Sequence, residues 1–202
     1  MSSRDELRTL PRPRTRRIDA VRNREQILAA ADQLFAERDP RTVTMDQIAK
    51  AAGVGRATLY RRFPDPRAVA AALLDEHERL LQERLTYGPP PLGPGAPAAE
   101  RLAAFYTAAV ELLERHLPLA LGAGTGPARY TGDAYGDWRR HVRALLAEAG
   151  VEDPDAWADI ALSPLAPDAY QYQRHGRGLS PERIARALGA LTHRLLSSRE
   201  MG

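Results

Sequence analysis

The chain has 202 residues, 44% hydrophobic and 27% charged, enough for a sizeable core and too apolar for a wholly disordered chain. It contains no cysteine, which excludes disulfides, thiolate catalysis, zinc ribbons and iron–sulfur clusters. Its net charge of +3 is uneven: residues 1–67 carry 15 Lys+Arg against 9 Asp+Glu, and residues 68–202 carry 14 against 17. The first third is therefore suited to meet a polyanion and the remainder is not.

Residues 4–19 hold Pro11 and Pro13 among six arginines without an apolar period, so residues 1–20 are expected to be a flexible basic arm. Ile27, Leu28, Ala31, Leu34 and Phe35 then recur at three and four, predicting an amphipathic helix over residues 21–38. Asp39-Pro40 should stop it, because the residue before a proline is pushed out of the α region. Thr44 followed by Gln47 matches a capping box, opening a short helix to about Ala52. Gly53 is suited to a sharp turn, and a third helix follows over residues 56–63.

Asp65-Pro66 is a cap followed by an N1 proline. Val69, Leu73, Leu74, His77, Leu80, Leu81 and Leu85 carry this fourth helix to about Thr86. Residues 88–97 hold five prolines and three glycines and are read as a loop or linker. Further helices are expected over residues 98–117, 133–149, 153–162, 167–175 and from Ser180-Pro181 onward, with a short apolar piece at 119–127. No stretch alternates long enough for a strand, so the fold class is all-α. The apolar runs are far shorter than the roughly 20 residues of a membrane span, and the N-terminus has no apolar signal region. A cytoplasmic protein without membrane contact is expected.

The short second helix, the glycine turn and the third helix make a helix-turn-helix candidate. Ala49 is small where the helices cross, Gly53 turns the chain, and Leu59 anchors the third helix. Arg56, Thr58, Tyr60, Arg61 and Arg62 make that helix too polar and basic for a core helix. Leu59, Phe63, Phe35 and Ile48 are read as core.

Arg24-Glu-Gln-Ile-Leu-Ala-Ala-Ala-Asp-Gln-Leu-Phe35, Thr44-Met-Asp-Gln-Ile-Ala49 and Ala52-Gly-Val-Gly-Arg-Ala-Thr-Leu-Tyr-Arg-Arg-Phe63 together resemble the N-terminal DNA-binding domain of TetR-family (AcrR-like) transcriptional regulators. The resemblance covers about residues 22–75. It implies a three-helix DNA-binding domain over residues 21–66 and a C-terminal helical bundle over 67–199 that binds an effector and dimerises. It further implies a homodimeric repressor on a palindromic double-stranded operator, released by a small molecule. By position, Thr44, Arg56, Ala57, Thr58, Tyr60, Arg61 and Arg67 fall on the family's DNA-facing sites. Chemistry then divides them. Arg56 is suited to pair bidentately with guanine and Ala57 to touch a thymine methyl. Thr44, Thr58, Tyr60, Arg61 and Arg67 are suited to phosphates. The sequence departs from the family in having Asp39 for a usual glycine, Gly55 for a usual serine and Arg67 for a usual lysine.

In the C-terminal part, Tyr106, His116, Trp138 and His141 are the candidate pocket walls, an apolar setting with a few polar groups. His116 and His141 could serve as metal ligands, but two histidines 25 residues apart are weak evidence, and no metal or cofactor is expected. The family usually dimerises through its last two long helices, here residues 155–175 and 181–198. Ile184, Leu188, Leu191 and Leu195, with Ala185 and Gly189 allowing close approach, form the candidate interface. Glu111 and Glu114 read as a solvated helix face. An enzyme is not expected: there is no Gly-x-Ser-x-Gly, phosphate loop or His-Glu-x-x-His. The rival reading is an architectural protein that binds DNA without choosing sequence.

Overall fold

The computed structural model describes residues 13–38, 42–123 and 133–197. Residues 1–12 of the basic arm, the Asp39-Pro40 break and the glycines beyond Ala123 lie outside the described residues. The described residues form nine α-helices and no strand. Among them, no helix is long and apolar enough to cross a membrane. The chain divides into two compact units, Met1–Ala70 and Ala71–Gly202.

The first unit contains α1 (Pro13–Glu37), α2 (Met45–Ala52) and α3 (Arg56–Tyr60). α1 begins at Pro13, eight residues before the expected start. Residues 13–20, expected in a flexible arm, are thus helical. The expectation rested on apolar periodicity, which marks a buried face and says nothing about a polar extension. Proline at N1 and residues of good helix propensity allow that extension.

α2 packs against α1 and α3. Ile27, Leu28, Ala30 and Ala31 of α1, Met45, Ile48 and Ala49 of α2, Leu59 of α3, and Phe63 are buried. Each large side chain among them contributes about 1.5–3 kcal/mol by leaving water. Phe35, expected in the core, is only half-buried.

The start of α2 is the expected capping box. Thr44 Oγ1 accepts from the Gln47 amide at 3.3 Å, and Gln47 Oε1 accepts from the Thr44 amide at 2.9 Å. Two otherwise orphaned donors are thereby satisfied. Thr44→Ala is expected to cost about 1 kcal/mol, seen as a lower urea midpoint with an unchanged slope; an unchanged midpoint would show that the cap contributes nothing. At the other end, Gly53 has φ 64°, and the Val54 amide donates to the Ala49 carbonyl at 3.1 Å. This is a Schellman closure. A Cβ at Gly53 would meet open space, so glycine is required for its dihedral angle and not for room.

The boundary between the units falls within α4 (Pro66–Tyr87). The second unit is built around α5 (Ala98–Ala123), against which α6 (Asp133–Glu148), α8 (Pro167–Gln171) and α9 (Pro181–Ser197) pack, while α7 (Pro154–Leu162) packs on α6. Its core includes Leu102, Phe105, Tyr106, Ala109 and Leu113 of α5. Trp138, Val142, Leu145 and Leu146 of α6, Tyr170 of α8, and Ile184 and Leu188 of α9 complete it. The proline-rich stretch 88–97 is tightly folded: the Gly93 amide donates to the Pro89 carbonyl at 3.0 Å. Leu92 reaches the core.

One expectation for this unit needs correction. The helix expected to end at Leu117 continues to Ala123, bending at His116 (φ −123°, ψ 18°). Pro118 explains the bend, since it lacks an N–H and its ring crowds the carbonyl four residues earlier. The separation expected between the helices at 153–162 and 167–175 is present, so 155–175 is not one continuous helix: α7 gives way at Pro164 to a 3-10 turn, Ser163–Leu165, and α8 opens at Pro167 and passes into a π turn, Tyr172–Gly176.

Candidate nucleic-acid interface and ligand cleft

The helix-turn-helix presents one polar face. Arg56, Ala57, Tyr60, Arg61 and Arg67 are exposed, Thr58 is half-buried, and Leu59 between them is fully buried. Leu59 therefore fixes which side of α3 faces outward. Tyr60 keeps 51% of its surface exposed, large for an aromatic residue with no contact to make. Thr44 stands exposed at the start of α2.

Arg56 is not a free cation. Its Nε and one terminal nitrogen both donate to the two carboxylate oxygens of Asp46, on α2. Sequence reasoning missed Asp46, ten residues away and unremarkable by type. The pairing leaves the far edge of the guanidinium, with its remaining N–H groups, pointing away from Asp46. Arg62, read as merely solvated, donates to the Ala20 carbonyl at 2.5 Å and so ties the end of α3 to α1.

In the second unit a cleft of about 730 Å³ opens between α4 and α5. Its lining includes His77, Leu81, Arg84, Glu111, Arg115 and His116. Of the four expected wall residues, only His116 is there. Tyr106 and Trp138 pack in the core beside Phe105, and His141 lies half-buried near the same ring. The Phe105 and Trp138 rings meet edge-on with centroids 5.7 Å apart, and His141 lies 5.7 Å from Phe105 on another side. The Tyr106 hydroxyl donates to the Ala161 carbonyl at 3.2 Å, and burial pushes it up to about 12. Burial, helped by the Arg101 charge, holds His141 down to about 4, so its imidazole is neutral at pH 7. Trp138 Nε1 and His141 Nε2 have no hydrogen-bond partner among the described residues.

His77, read as one more residue on the apolar side of α4, lies beside His116. His77 Nδ1 and His116 Nε2 are 2.5 Å apart, with ring centroids 4.5 Å apart. On the same helix, burial and then the Asp75 charge push Glu78 up to about 7. Glu111, read as solvated, borders the cleft.

Glu114, likewise read as solvated, accepts from Arg174 Nε at 2.7 Å and from an Arg174 terminal nitrogen at 2.6 Å. It also accepts from the Tyr170 hydroxyl at 2.7 Å. These bonds, that from Arg174 above all, hold its carboxyl below the usual carboxylate range. The folded state thus favours the ionised form. Its contribution is complete above the free value of 4.5 and is lost as pH falls through the depressed folded value. Glu114→Gln is therefore expected to flatten the acid side of the melting temperature–pH profile. A variant whose profile still falls as steeply below pH 5 as the parent's would contradict this.

Within one subunit the residues expected at the dimer face divide between core and surface. Ile184 and Leu188 are 3% and 7% exposed and belong to the subunit's own core, with Leu195 packed half-buried against it. A Cβ on Gly189 would lie 3.5 Å from Ala103 of α5, so the close approach it allows is internal. Only Leu191, 57% exposed, faces outward. The apolar stripe of α9 is spent on α5.

Comparison with known proteins gives three findings. Residues 27–73 match the model of the tetR family of bacterial regulatory proteins. An uncharacterised HTH-type transcriptional regulator of Mycobacterium tuberculosis is 34% identical over 135 residues; the match spans 64% of this chain and 64% of that protein. Among solved structures, a TetR-family regulator from a Rhodococcus species superposes with TM-score 0.64 at 17% identity, over 88% of this chain and 100% of that one. The regulator FadR of Bacillus subtilis, solved with stearoyl-CoA, superposes with TM-score 0.62 at 19% identity, over 86% and 97%.

Proposed function

We propose that the chain, whose residues 27–73 match the model of the tetR family of bacterial regulatory proteins, is a sequence-specific DNA-binding transcriptional repressor of that family. Two copies place α3 in successive major grooves of a palindromic operator, and a small molecule in the C-terminal part releases them. In this reading residues 21–66 bind DNA, residues 67–199 bind the effector and dimerise, and the protein works in the cytoplasm.

The observation that carries the reading is the outward face of α3. Arg56, Ala57, Tyr60 and Arg61 are all exposed on a helix that Leu59 holds from behind. Arg56 reads guanine through the edge that Asp46 leaves free, and Asp46 restrains it before DNA arrives, which lowers the ordering cost of binding. Thr44, Thr58, Tyr60, Arg61 and Arg67 bind phosphates and set the register.

The effector enters the α4–α5 cleft, whose volume is in the range of small-molecule sites. That FadR of Bacillus subtilis was solved with stearoyl-CoA supports a small-molecule effector without fixing its chemistry. Since α4 spans both units, it is the element through which ligand and DNA affinities are coupled, by about 1–3 kcal/mol in typical cases.

The test is selection from a random duplex pool at near-physiological salt. The expected result is an enriched palindrome. Retention without a consensus would favour an architectural protein, and no retention would refute DNA binding.

A further inference from the structure

We propose that His77 and His116 form a binding site for one divalent transition-metal cation at the wall of the α4–α5 cleft. Four observations converge on it. The two side chains come from different helices and aim one nitrogen each at the same point, His77 Nδ1 and His116 Nε2 lying 2.5 Å apart. His116 is 2% exposed and His77 half-buried, so the site is shielded from bulk water on one side. Both border a cleft of about 730 Å³, which supplies an entry path. His116 stands at the bend of α5, with non-helical φ and ψ, so its imidazole leaves the direction that a regular helix would impose.

Two nitrogens that bind one cation at about 2.0–2.1 Å each are separated by roughly 3 Å. A small outward turn of either ring therefore seats the ion between them. Without the ion, one facing nitrogen carries a hydrogen and the other accepts it. With the ion, both facing nitrogens present lone pairs, and that hydrogen moves to the other nitrogen of its own ring. Paired neutral imidazoles select Zn²⁺, Ni²⁺, Co²⁺ or Cu²⁺ over Mg²⁺ and Ca²⁺, which take oxygen ligands. The two imidazole nitrogens fill only part of the ion's coordination shell, so a molecule in the cleft can add oxygen or nitrogen donors. The ion would then give the cleft a preference for chelating ligands. This last consequence rests on the effector reading above; the metal site itself does not.

The experiment uses the full chain, freed of metal with a chelator and titrated with Zn²⁺ alone by calorimetry, without DNA. Co²⁺ serves as a second probe through its visible absorption. One saturable equivalent per chain is expected at pH 7.5. It should weaken at least 10-fold in His77→Gln, since even residues that only support metal ligands are worth about 10–100-fold. His193→Gln, on the exposed part of α9, should bind like the parent. His116→Gln should match His77→Gln. Because His116 is buried, circular dichroism must show that variant folded, and His77→Gln decides the matter if it is not. No saturable binding by the parent, or unchanged affinity in His77→Gln, would overturn the site. Metal binding without any enriched DNA would leave the site standing and remove the repressor reading; the reverse outcome would do the opposite.

Discussion

Phe105→Ala is expected to lower the stability of the C-terminal unit by about 3–5 kcal/mol. Phe105 is fully buried in the middle of α5, the helix on which α6, α8 and α9 converge. Its ring touches those of Tyr106, Trp138 and His141, with centroids 5.7–5.8 Å away. Alanine would remove the common partner of all three and leave a cavity, because Tyr106 on α5 itself and Trp138 and His141 on α6 cannot all collapse into it. The loss corresponds to a fall of roughly 10–20 °C in melting temperature, followed by far-ultraviolet circular dichroism. Leu191→Ala, on the exposed face of the neighbouring α9, should change stability by at most about 0.5 kcal/mol. If the two variants melted together, the core would be wrongly placed.

Arg56→Ala is expected to remove about 1–3 kcal/mol of discrimination at one base pair of each half-site. This is about 5–150-fold for each half-site, and about the square of that for a dimer on both half-sites, with far less change on random DNA. Arg61→Ala should weaken all sequences alike and reduce the salt slope by about one per bound chain. The contrast follows from geometry and charge. Arg56 is restrained by Asp46, while Arg61 stands exposed at the end of α3. Both are surface residues, so folding is not at risk. Competition binding on the selected site and on a scrambled duplex checks the pair. Equal losses on both duplexes for both variants would contradict the division into reader and anchor.

The N-terminal unit was largely legible from the sequence because its signals are local. The Thr44–Gln47 capping box, the Gly53 turn and the buried Leu59 are determined by residues a few positions apart, and each appears as expected. The exceptions have physical causes. Asp46 carries no periodic or cap signal that would assign it to Arg56, and only the fold of the turn brings them together. The first helix begins early because a polar helical extension has no apolar signature. The C-terminal unit was legible as helices and largely illegible as a site. Tyr106 and Trp138 are read from the sequence as pocket walls and Ile184 and Leu188 as an interface; all four are buried within the subunit, and residue type alone does not say which partners cover them. His77 and His116 stand 39 positions apart and meet only through the packing of α4 on α5. Glu114 likewise meets Arg174 60 positions away.

Taken at near-physiological salt, the ratio of affinities for the selected palindrome and a scrambled duplex of equal length and composition tests the regulator reading most directly. A sequence-specific regulator gives a ratio of about 10³ or more, with two chains per palindrome and an Arg56→Ala variant that lowers the ratio. A ratio near one, with a steep salt slope shared by both duplexes, would contradict it and make the basic face of the helix-turn-helix a general DNA anchor.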